Sequence, residues 1–397
     1  TFTKITEGSI VNDIGSSRSC AWGDYDIDGH IDLFVLNYEG LNDFLYHNNG
    51  DGTFTRIFNQ PIVTDQAWGS CCSWFDYDNN GYLDLFVSNN GTYNKLFYNH
   101  GDGNFTVNNS LPNHDGSSYG FCWGDYDNDG HTDLFTCNVH NINTLYKNSG
   151  GSFVKVADEV AAQEGVWSVA SSFMDYNNDG KLDLFVTNRF NNLYNYLYKN
   201  VGNTGNYVMV KLKGCVNKFG IGAKIKIYTG GMQQMKEVTS GSGWGSDHSS
   251  WSHFGLGEFQ NIDSIIVYWP SNNIVSRFYD VSVNNTILVD ECTEQISIVN
   301  INSESSTPMD YQMFQNFPNP FNPVTMIKYS VASENSKVLI KVYDMLGKEV
   351  STLVDGKQNS GVYYINFNAS ALPSGVYYYS FFVNDNLFQT KKMALIK

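Results

Sequence analysis

Three observations predict an all-β protein whose first half is a β-propeller. An aspartate-rich stretch recurs four times, with first aspartates at positions 24, 76, 125 and 175, which are 52, 49 and 50 residues apart. Aromatic-rich segments with Gly and Asn turns separate the copies, so each repeat supplies about four short strands. Only 16% of the residues are charged, which is typical of β-rich extracellular proteins. Fifty-residue units of four strands fit propeller blades, whose radial packing protects sheet edges.

The composition narrows the function classes. The 397 residues include 24 Lys and Arg against 40 Asp and Glu, a formal charge of −16, which argues against a nucleic-acid partner. No run of 18 apolar residues is present, so we expect no transmembrane segment. The chain starts in a strand-like segment without a signal peptide, and we expect a mature, processed product.

The four aspartate-rich copies share one pattern that runs into an apolar strand. A second phrase follows each of the first three copies, for example "FLYHNNGDGTFTRI" and "LFYNHGDGNFTVNN". The N-terminal "TFTKITEGSIVND" matches "TFTRIFNQPIVTD" at the end of that phrase, so this first strand has its hairpin partner elsewhere. The sequence leaves open whether four blades close alone, with a further blade, or not at all. The copies are "WGDYDIDGHIDLFVLN", "WFDYDNNGYLDLFVSN", "WGDYDNDGHTDLFTCN" and "FMDYNNDGKLDLFVTN".

Each copy predicts a calcium site. Counted from the first aspartate, oxygen-bearing side chains fall at positions 1, 3, 5 and 9, and a Gly at position 6 permits a sharp turn. Calcium takes six to eight oxygen ligands, including a backbone carbonyl, here expected at position 7. We therefore expect about four Ca²⁺ ions, one per repeat. The predicted ligands are Asp24, Asp26, Asp28, His30 and Asp32; Asp76, Asp78, Asn80, Tyr82 and Asp84; Asp125, Asp127, Asp129, His131 and Asp133; and Asp175, Asn177, Asp179, Lys181 and Asp183.

The loops are not EF-hands, which need a glutamate at position 12 and flanking helices. Position 12 carries Val35, Val87, Thr136 and Val186, inside the "DLFV" strand. Magnesium tolerates such cages poorly, so calcium is the expected ion. Four Ca²⁺ ions would bring the charge from −16 to about −8 and couple metal binding to folding.

Seven cysteines leave at least one thiol unpaired within the chain. Cys20 and Cys72 precede first aspartates on apolar segments, where we expect buried free thiols. Cys215 and Cys292 lie near the two ends of a later domain and could pair in an oxidising compartment.

The repeats resemble FG-GAP or VCBS repeats, the calcium-loop blades also found in integrin α-subunit propellers, over residues 1–200. The next stretch, 201–292, resembles the ASPIC/UnbV domain in phrases such as "HFGLG" and "VYWPS". This second resemblance implies a small β-rich module of secreted proteins without established catalytic residues.

The second domain offers weak candidates for chemistry. "GSGWG" at Gly241 lacks the Lys and Ser or Thr of a phosphate loop. Asp247, His248 and His253 could form a metal or acid–base cluster, but a solvated loop is the simpler interpretation. No nucleophile lies in a recognisable catalytic setting, and we expect no enzyme activity and no catalytic residues.

A polar stretch, 293–310, predicts a linker. After it, "FPNPFNP" and alternating strands predict a two-sheet, Ig-like sandwich over 311–397. This segment resembles the type A C-terminal sorting domain of type IX secretion cargo, matching at "FPNPFNP", "VYDMLGKEV", "LPSGVYYY" and "KKMALIK". The resemblance implies a Bacteroidetes-like bacterium, contact with the type IX secretion machinery, and an extracellular or outer-surface location.

Two functions remain open. Because the chain retains its sorting domain, we expect this sandwich to dock onto a neighbouring copy and build a surface filament. The alternative is an adhesion module that binds glycans or a partner protein. It would use aromatic residues of propeller loops, namely Tyr93, Tyr119, Trp167 and Phe190.

Overall fold

The computed structural model describes residues 2–112, 117–163, 167–189, 194–202, 204–239, 251–270, 274–299 and 310–397. Strands dominate these residues. Their helices are three short segments, α1 (Ser9–Asn12), α2 (Pro61–Thr64) and a 3₁₀ turn (Val160–Ala162). The predicted all-β class is therefore confirmed. No helix among the described residues is long and apolar enough to cross a membrane.

The chain divides into two compact units, described in turn. The first comprises Thr1–Tyr207, Ile221–Lys226 and Gly231–Glu258, and the second comprises Val208–Gly220, Ile227–Gly230 and Phe259–Lys397.

The first three repeats each form a four-stranded antiparallel sheet in sequential order, and the fourth forms a sheet of three strands. This is the blade topology that the sequence predicts. The strands of repeats 1 and 2 are β1 (Ser17–Gly23), β2 (Asp32–Asn37), β3 (Phe44–Asn48), β4 (Phe54–Ile57), β5 (Gly69–Phe75), β6 (Asp84–Asn89), β7 (Lys95–Asn99) and β8 (Phe105–Asn108). Those of repeats 3 and 4 are β9 (Ser117–Gly124), β10 (Asp133–Val139), β11 (Thr144–Asn148), β12 (Phe153–Val156), β13 (Ser168–Met174), β14 (Asp183–Asn188) and β15 (Tyr196–Tyr198).

Aromatic side chains fill the space between consecutive sheets. Trp74 of repeat 2 stacks on Tyr25 of repeat 1 with ring centroids 6.0 Å apart. Phe105, the first residue of β8, packs on both rings at 5.6 and 6.0 Å. Repeat 3 repeats this arrangement, with Phe153 placed on Tyr77 and Trp123. Because the aromatic residues recur at equivalent positions of the repeats, a hydrophobic core forms between consecutive repeats.

An asparagine at the end of each third strand links one repeat to the previous one. The side chain of Asn99 donates to the carbonyl oxygen of Tyr25 at 2.8 Å. Asn148 donates to Tyr77 at 2.6 Å, and Asn200 donates to Tyr126 at 2.7 Å. These bonds satisfy buried backbone carbonyls at equivalent positions.

A second position carries Asn in three repeats but Asp in the first, and it is buried in repeats 1 to 3. The side-chain oxygen of Asn94 accepts a bond from Asn89 N at 2.9 Å, and its amide donates to Ser118 of the next repeat. In repeat 1, Asp43 occupies this position and accepts from Asn37 N at 2.7 Å. Burial raises the pKa of the Asp43 carboxyl to about 8.

The next hairpin comes from the second predicted domain. The parts of its two strands that lie away from the turn belong to the first unit. Its strands are β17 (Lys224–Thr229) and β18 (Met232–Glu237). Gly222 and Val238 close the hairpin through backbone hydrogen bonds. Met235 lies in the core shared by repeats 1 and 2. The strand β19 (Ser252–Gly257) follows in the same unit.

In the second unit, β16 (Asn206–Lys213) contributes residues 208–213, which pair in parallel with β22 (Asn285–Asp290). A disulfide joins Cys215 and Cys292, just beyond the two strands, with their Cα atoms 5.2 Å apart. The predicted pairing is confirmed. The hairpin of β20 (Asn261–Tyr268) and β21 (Val275–Ser282) completes this part of the unit.

The C-terminal region forms two packed sheets from seven strands. Their shared core includes Phe321, Ile340 and Tyr379. This is the predicted sandwich, although its Ig-like class stays a prediction. The strands are β24 (Gln312–Met313), β25 (Val324–Val331), β26 (Ser336–Tyr343), β27 (Glu349–Gln358), β28 (Gly361–Asn368), β29 (Gly375–Val383) and β30 (Asn386–Leu395).

One strand joins the sandwich to the preceding domain. β23 (Gln295–Ile298) pairs with β22 on one side and with β28 on the other. It lies within 293–310, which the sequence assigns to a linker. The buried side chain of Ile296 explains the difference, because it gives this polar segment one core contact. Residues 300–309 of the predicted linker lie outside the described residues.

One cysteine expectation is wrong. Cys72 is buried, but Cys20 is exposed, because its side chain lies on the outer face of the first repeat's edge strand, β1.

Asp43→Asn is expected to stabilise the protein increasingly as the pH rises. The folded pKa of Asp43, about 8, lies above the unfolded value of about 4. Its contribution to stability is therefore most favourable below pH 4 and falls as the pH rises to 8. Asparagine abolishes this loss, a gain on the order of 5 kcal/mol at pH 8, because the two pKa values differ by about four units. Urea unfolding at pH 5 and pH 8 measures the gain.

The matched control is Asn94→Asp, which places a carboxyl at the equivalent position of repeat 2. Its stability is expected to fall relative to the parent as the pH rises. Equal effects of Asp43→Asn at both pH values would show that the Asp43 charge is not the cause.

Candidate metal centres

Each aspartate-rich loop turns through two left-handed residues. Position 4 has a positive φ in all four repeats, 59° at Ile27 and between 58° and 62° at Asn79, Asn128 and Asn178. Asparagine tolerates this conformation better than a β-branched residue. The glycine at position 6 also has a positive φ, 92° at Gly29. The chain consequently wraps around the side chains at positions 1, 3 and 5.

The first aspartate of each loop receives backbone hydrogen bonds on both oxygens. In repeat 2, Asn80 N donates to Asp76 Oδ1 at 3.0 Å and Gly81 N donates to Oδ2 at 2.9 Å. The other repeats keep the same pattern at distances of 2.8 to 3.1 Å. These bonds fix the position 1 carboxylate inside the turn.

The aspartate at position 9 connects the loop to the sheet. Asp84 begins β6, and its two oxygens accept from Tyr77 N in the loop and from Asn99 N in β7, at 3.3 and 2.7 Å. Equivalent bonds hold Asp32, Asp133 and Asp183. The side chain is therefore fixed by both neighbouring segments.

The side chain at position 5 closes the second part of the turn by accepting a backbone hydrogen bond. The side-chain oxygens of Asp28, Asn80, Asp129 and Asp179 accept from the backbone N of position 7 at 2.7 to 3.1 Å. Position 7, the predicted carbonyl ligand, is occupied by His30, Tyr82, His131 and Lys181. Its role in binding an ion stays a prediction.

The side chains at positions 1, 3 and 9 converge in three repeats. One oxygen from each lies within 4.8 Å of the others. The fourth repeat has the same loop hydrogen bonds, with Asn177 at position 3 in place of an aspartate. The three clusters are Asp24, Asp26 and Asp32; Asp76, Asp78 and Asp84; and Asp125, Asp127 and Asp133.

Burial makes these carboxyls difficult to ionise without a cation. It raises the pKa of Asp76 to about 7 and that of Asp125 to about 8. For Asp84 and Asp133, burial raises the pKa well above the ordinary value, and neighbouring carboxylates add to the shift. Ionised carboxylates in these clusters would repel one another in a low-dielectric environment. A divalent cation would offset that repulsion.

Basic side chains on the third strands enter three of the loops. In repeat 1, His47 Nδ1 lies 3.1 Å from Asp26 Oδ2 and 3.3 Å from Asp32 Oδ1. In repeat 3, the Lys147 ammonium contacts Asp127 and lies 3.1 Å from Asp129. Lys199 lies 4.0 Å from Asp179 in repeat 4. Repeat 2 has Tyr98 at this position, so its cluster receives no cation from β7.

The β17–β18 hairpin brings further charges to the first loop. The ammonium group of Lys224 contacts Asp24. Glu237 Oε2 accepts from Asp24 N at 3.5 Å. Burial raises the pKa of Glu237 to about 7. The hairpin therefore adds one cation and one buried acid to the cluster of repeat 1.

The same segment reaches repeats 3 and 4. Burial lowers the pKa of Lys236 to about 8, although the negative charges of Asp125 and Asp133 oppose the shift. His253 is buried and lies 3.2 Å from the carbonyl oxygen of Gly180, with its pKa lowered to about 3 by burial. His253 is thus a neutral packing residue beside loop 4.

The sequence missed these contacts because their partners are far apart in the chain, 200 residues for Lys224 and Asp24 and 73 residues for His253 and Gly180. One local signal existed: Lys224 and Lys226 alternate on a strand and so share one face.

The other candidate residues that the sequence suggests are less informative. Gly241, Asp247, His248 and Phe190 lie outside the described residues. Among the predicted aromatic residues, Tyr93 is exposed, whereas Tyr119 and Trp167 are half-buried.

The donor set fits calcium. It consists of carboxylate and amide oxygens from alternate loop positions, and one of them, Asp127 Oδ1, is buried without a hydrogen-bond partner. An unpaired buried carboxylate oxygen is costly unless a cation compensates it. Oxygen ligands in a flexible loop are the environment that calcium prefers.

Family models match most of the chain. The FG-GAP-like repeat matches residues 24–87, 76–136 and 125–186. ASPIC and UnbV matches 215–296, and the secretion system C-terminal sorting domain matches 315–397. No curated protein sequence matches the chain.

Several solved structures are distantly similar. The Dos1 propeller is 9% identical, with 89% of this chain and 92% of that chain covered and a TM-score of 0.31. Raptor from Chaetomium thermophilum is 10% identical over 90% of this chain but only 28% of its own, with a TM-score of 0.28. The V. cholerae biofilm matrix protein Bap1 is 11% identical, covering 95% and 61%, also with a TM-score of 0.28. Likenesses at this level assign no function.

The three family matches agree with the resemblances in the sequence. The sorting domain marks the protein for export by the type IX machinery to the cell surface or the medium. The chain is therefore a secreted or cell-surface protein of FG-GAP-like repeats that also carries an ASPIC and UnbV domain and a type IX C-terminal sorting domain.

Proposed function

We propose that the protein is a calcium-stabilised, non-catalytic structural component of the cell surface or extracellular matrix, which assembles with copies of itself. The observation that carries the proposal is the repeated set of buried acid clusters at positions 1, 3 and 9. Within these clusters, burial is the main cause that raises the pKa of Asp32, Asp76 and Asp125. A bound Ca²⁺ ion would hold all three side chains in the ionised form.

The position of each cluster supports a structural role. Asp84 already links its loop to the third strand through Tyr77 N and Asn99 N. Asn99 in turn bonds to Tyr25 of the previous repeat. An ion held by Asp84 would therefore stiffen the loop, its sheet and the contact between two repeats. We assign this stiffening role to every clustered carboxylate. None of them would then be available for acid–base catalysis.

Self-assembly through the C-terminal sandwich is the filament hypothesis that the sequence suggests. One edge of its first sheet is occupied, because β28 pairs with β23 of the same chain. β27 is an edge strand of the second sheet, which has the order β27-β26-β29-β30. An exposed edge of ten residues favours pairing with another chain, so β27 is the better place for such a contact.

The alternative function is adhesion or ligand binding by the propeller. Tyr93 favours it, because its ring is exposed in the loop before β7. Aromatic rings at exposed loops suit carbohydrate or protein ligands. A glycan array probed with calcium-loaded protein distinguishes the functions, since saturable binding that Tyr93→Ala removes would support adhesion.

Calcium is expected to raise the melting temperature. A ligand that binds only the folded state stabilises it by RT ln(1 + [L]/Kd), about 2.7 kcal/mol per site when the free concentration is 100 times Kd. Scanning calorimetry with 5 mM CaCl₂ or with EGTA measures the shift. An unchanged melting temperature would contradict the calcium proposal.

Asp84→Asn tests whether the ion acts at the loop. The variant is expected to lose part of the calcium shift, because a carboxylate ligand becomes neutral. Without calcium it is expected to be less stable than the parent, because an amide has one accepting oxygen and so leaves Tyr77 N or Asn99 N without its hydrogen bond. The matched control is Asp51→Asn in an exposed turn, which should leave the calcium shift intact. Equal shifts in both variants would exclude Asp84 as a ligand.

Lys147→Met is expected to strengthen calcium binding at repeat 3. The ammonium group contacts Asp127 and Asp129, so it competes with a cation for the same oxygens. Removing it should raise the affinity on the order of fivefold, the equivalent of about 1 kcal/mol. Calcium titration by calorimetry measures the change.

The control is Lys155→Met on the exposed outer strand of the same repeat. Its affinity should match that of the parent. Weaker binding in Lys147→Met would show that the lysine supports the loop instead of competing with the ion.

A further inference from the structure

We propose that a cavity between repeats 3 and 4 binds a small molecule in which one aromatic ring is joined through two carbon atoms to an amine. The cavity lies within the first unit and has a volume of about 240 Å³. Apolar and aromatic side chains of both repeats line it, together with a few charged side chains. This site is independent of the calcium ions and of the self-assembly proposed above.

Between the earlier repeats, a phenylalanine ring occupies the equivalent place. Phe105, from the fourth strand of repeat 2, packs on Tyr25 and Trp74 with ring centroids 5.6 and 6.0 Å apart. The fourth strand of repeat 3 supplies a phenylalanine in the same way. The equivalents of the two ring partners are Tyr126 and Phe173, and both line the cavity. The cavity therefore lies where the other pairs of repeats hold a phenylalanine ring.

The aromatic residue of repeat 4 is directed elsewhere. "GNFTV" of repeat 2 corresponds to "GNYVM" after repeat 4, so Tyr207 takes the sequence position of Phe105. Tyr207 follows Asn200 by seven residues, whereas Phe105 follows Asn99 by six. The ring of Tyr207 stacks on His253 with centroids 5.8 Å apart, and it does not line the cavity. The chain thus continues past repeat 4 without filling this place.

Two smaller side chains widen the cavity. Phe173 stands where repeats 1 to 3 carry a tryptophan. The segment after the fourth strand contributes Ile62 to the core of repeats 1 and 2, and Leu111 packs against the core of repeats 2 and 3. After repeat 3 this segment contributes only Ala161, since "FTRIFNQPIVT" and "FVKVADEVAAQ" align Ile62 with Ala161.

The volume of the cavity suits one aromatic ring with a short chain attached. An apolar cavity of about 150 Å³ is large enough to bind benzene. The cavity between repeats 3 and 4 measures about 240 Å³, so a ring leaves space for a few more atoms. Larger ligands, which need cavities of about 300 Å³ or more, are excluded.

The hydrogen bond made by the phenylalanine of repeat 2 indicates where an amine would lie. Gln60 Oε1 accepts from Phe105 N at 3.3 Å. That nitrogen is joined to the phenyl ring through Cα and Cβ, which are two carbon atoms. Glu159 is the equivalent of Gln60 in the alignment above, and it lines the cavity. A carboxylate favours a charged ammonium group over a neutral N–H donor.

The charges around the cavity also favour a cation. Its lining includes two carboxylates, Asp127 and Glu159, and one ammonium group, that of Lys199. Lys199 lies 4.0 Å from Asp179, which offsets part of its charge. Lys147 contacts Asp127, which leaves Glu159 as the carboxylate that meets the amine. The ligand is therefore a 2-arylethylamine, with its ring between the two repeats and its ammonium group at Glu159.

Titration of 2-phenylethylamine into the full chain tests the site. Calorimetry with CaCl₂ present is expected to show saturable one-to-one binding with a Kd of about 1 mM, because the ligand has only about nine non-hydrogen atoms. The neutral 2-phenylethanol offers the same ring without the charge and is expected to bind about fivefold more weakly. Absence of saturable binding by the amine, or equal binding of both compounds, would overturn the proposal.

Ala161→Ile tests the place of the ring by restoring the residue of repeat 1. The variant is expected to lose binding and to keep the melting temperature of the parent or exceed it, because the new side chain fills apolar space. The matched control is Ala157→Ile, at an exposed position of the same segment, which should bind as the parent does. Unchanged binding by a folded Ala161→Ile variant would overturn the proposal.

Glu159→Gln tests the amine contact at an exposed position that tolerates substitution. It is expected to lower the affinity for 2-phenylethylamine to that for 2-phenylethanol and to leave the alcohol unaffected. Asp158→Asn, on the neighbouring exposed residue, is the control and should change neither affinity. Equal amine binding by Glu159→Gln and the parent would contradict the role of this carboxylate.

A peptide distinguishes a free amine from an aromatic residue of another protein. The probe is "GNFTVN" with blocked ends, the sequence of 103–108. It is expected to bind more weakly than 2-phenylethylamine, because its N–H groups are neutral. Tighter binding by the peptide would overturn the small-molecule assignment in favour of a partner polypeptide. Neither Ala161 nor Glu159 is a predicted calcium ligand, so these outcomes do not depend on the proposed function.

Discussion

The structure of each repeat depends on one buried carboxylate, the aspartate at position 9. In repeat 2, Asp84 starts the central strand and accepts hydrogen bonds from the loop at Tyr77 and from the next strand at Asn99. The loop, the hairpin and the contact with the previous repeat all meet at this side chain. Its burial makes the negative charge costly unless hydrogen bonds or a cation compensate it. In repeats 1 to 3 the aspartates at positions 1 and 3 each place a carboxylate oxygen within 4.8 Å of it.

Basic side chains of the protein lie against the acid clusters, and its lysines supply part of the compensating charge. His47 and Lys147 reach the clusters of repeats 1 and 3 from the third strand, and Lys224 reaches Asp24 from the hairpin. The repeats are therefore unequal in charge despite their similar sequences. Repeat 2 has Tyr98 at the position of Lys147, and it is Lys226 of the hairpin that interacts electrostatically with Asp76 of this cluster. The repeats therefore differ in the element that supplies the basic side chain.

The repeat pattern predicted the all-β class, the strands and the acid clusters, because all three depend on local spacing. Alternating side chains place Asp24, Asp26 and Asp28 on one turn, and the sequence alone reveals that turn. The hairpin contact between Lys224 and Asp24 was not predictable, because 200 residues separate its partners. The pairing of β23 with β28 was missed for a related reason: β23 is short and polar, and only Ile296 gives it a buried side chain.

The first and last of the four repeats differ from the middle two in the exposure of their aromatic side chains. Each interior repeat has aromatic contacts with both neighbours, as repeat 2 has through Trp74 on Tyr25 of repeat 1 and through Phe75 on Trp123 of repeat 3. Within the described residues, Trp22 of repeat 1 and Tyr176 of repeat 4 are exposed, whereas the equivalent Trp74 and Tyr25 are buried. In a quasi-linear array, stability is the sum of repeat and interface contributions, and an exposed end surface lowers that sum. Covering Trp22 or Tyr176 with another aromatic side chain would add an interface of the kind that Trp74 and Tyr25 form.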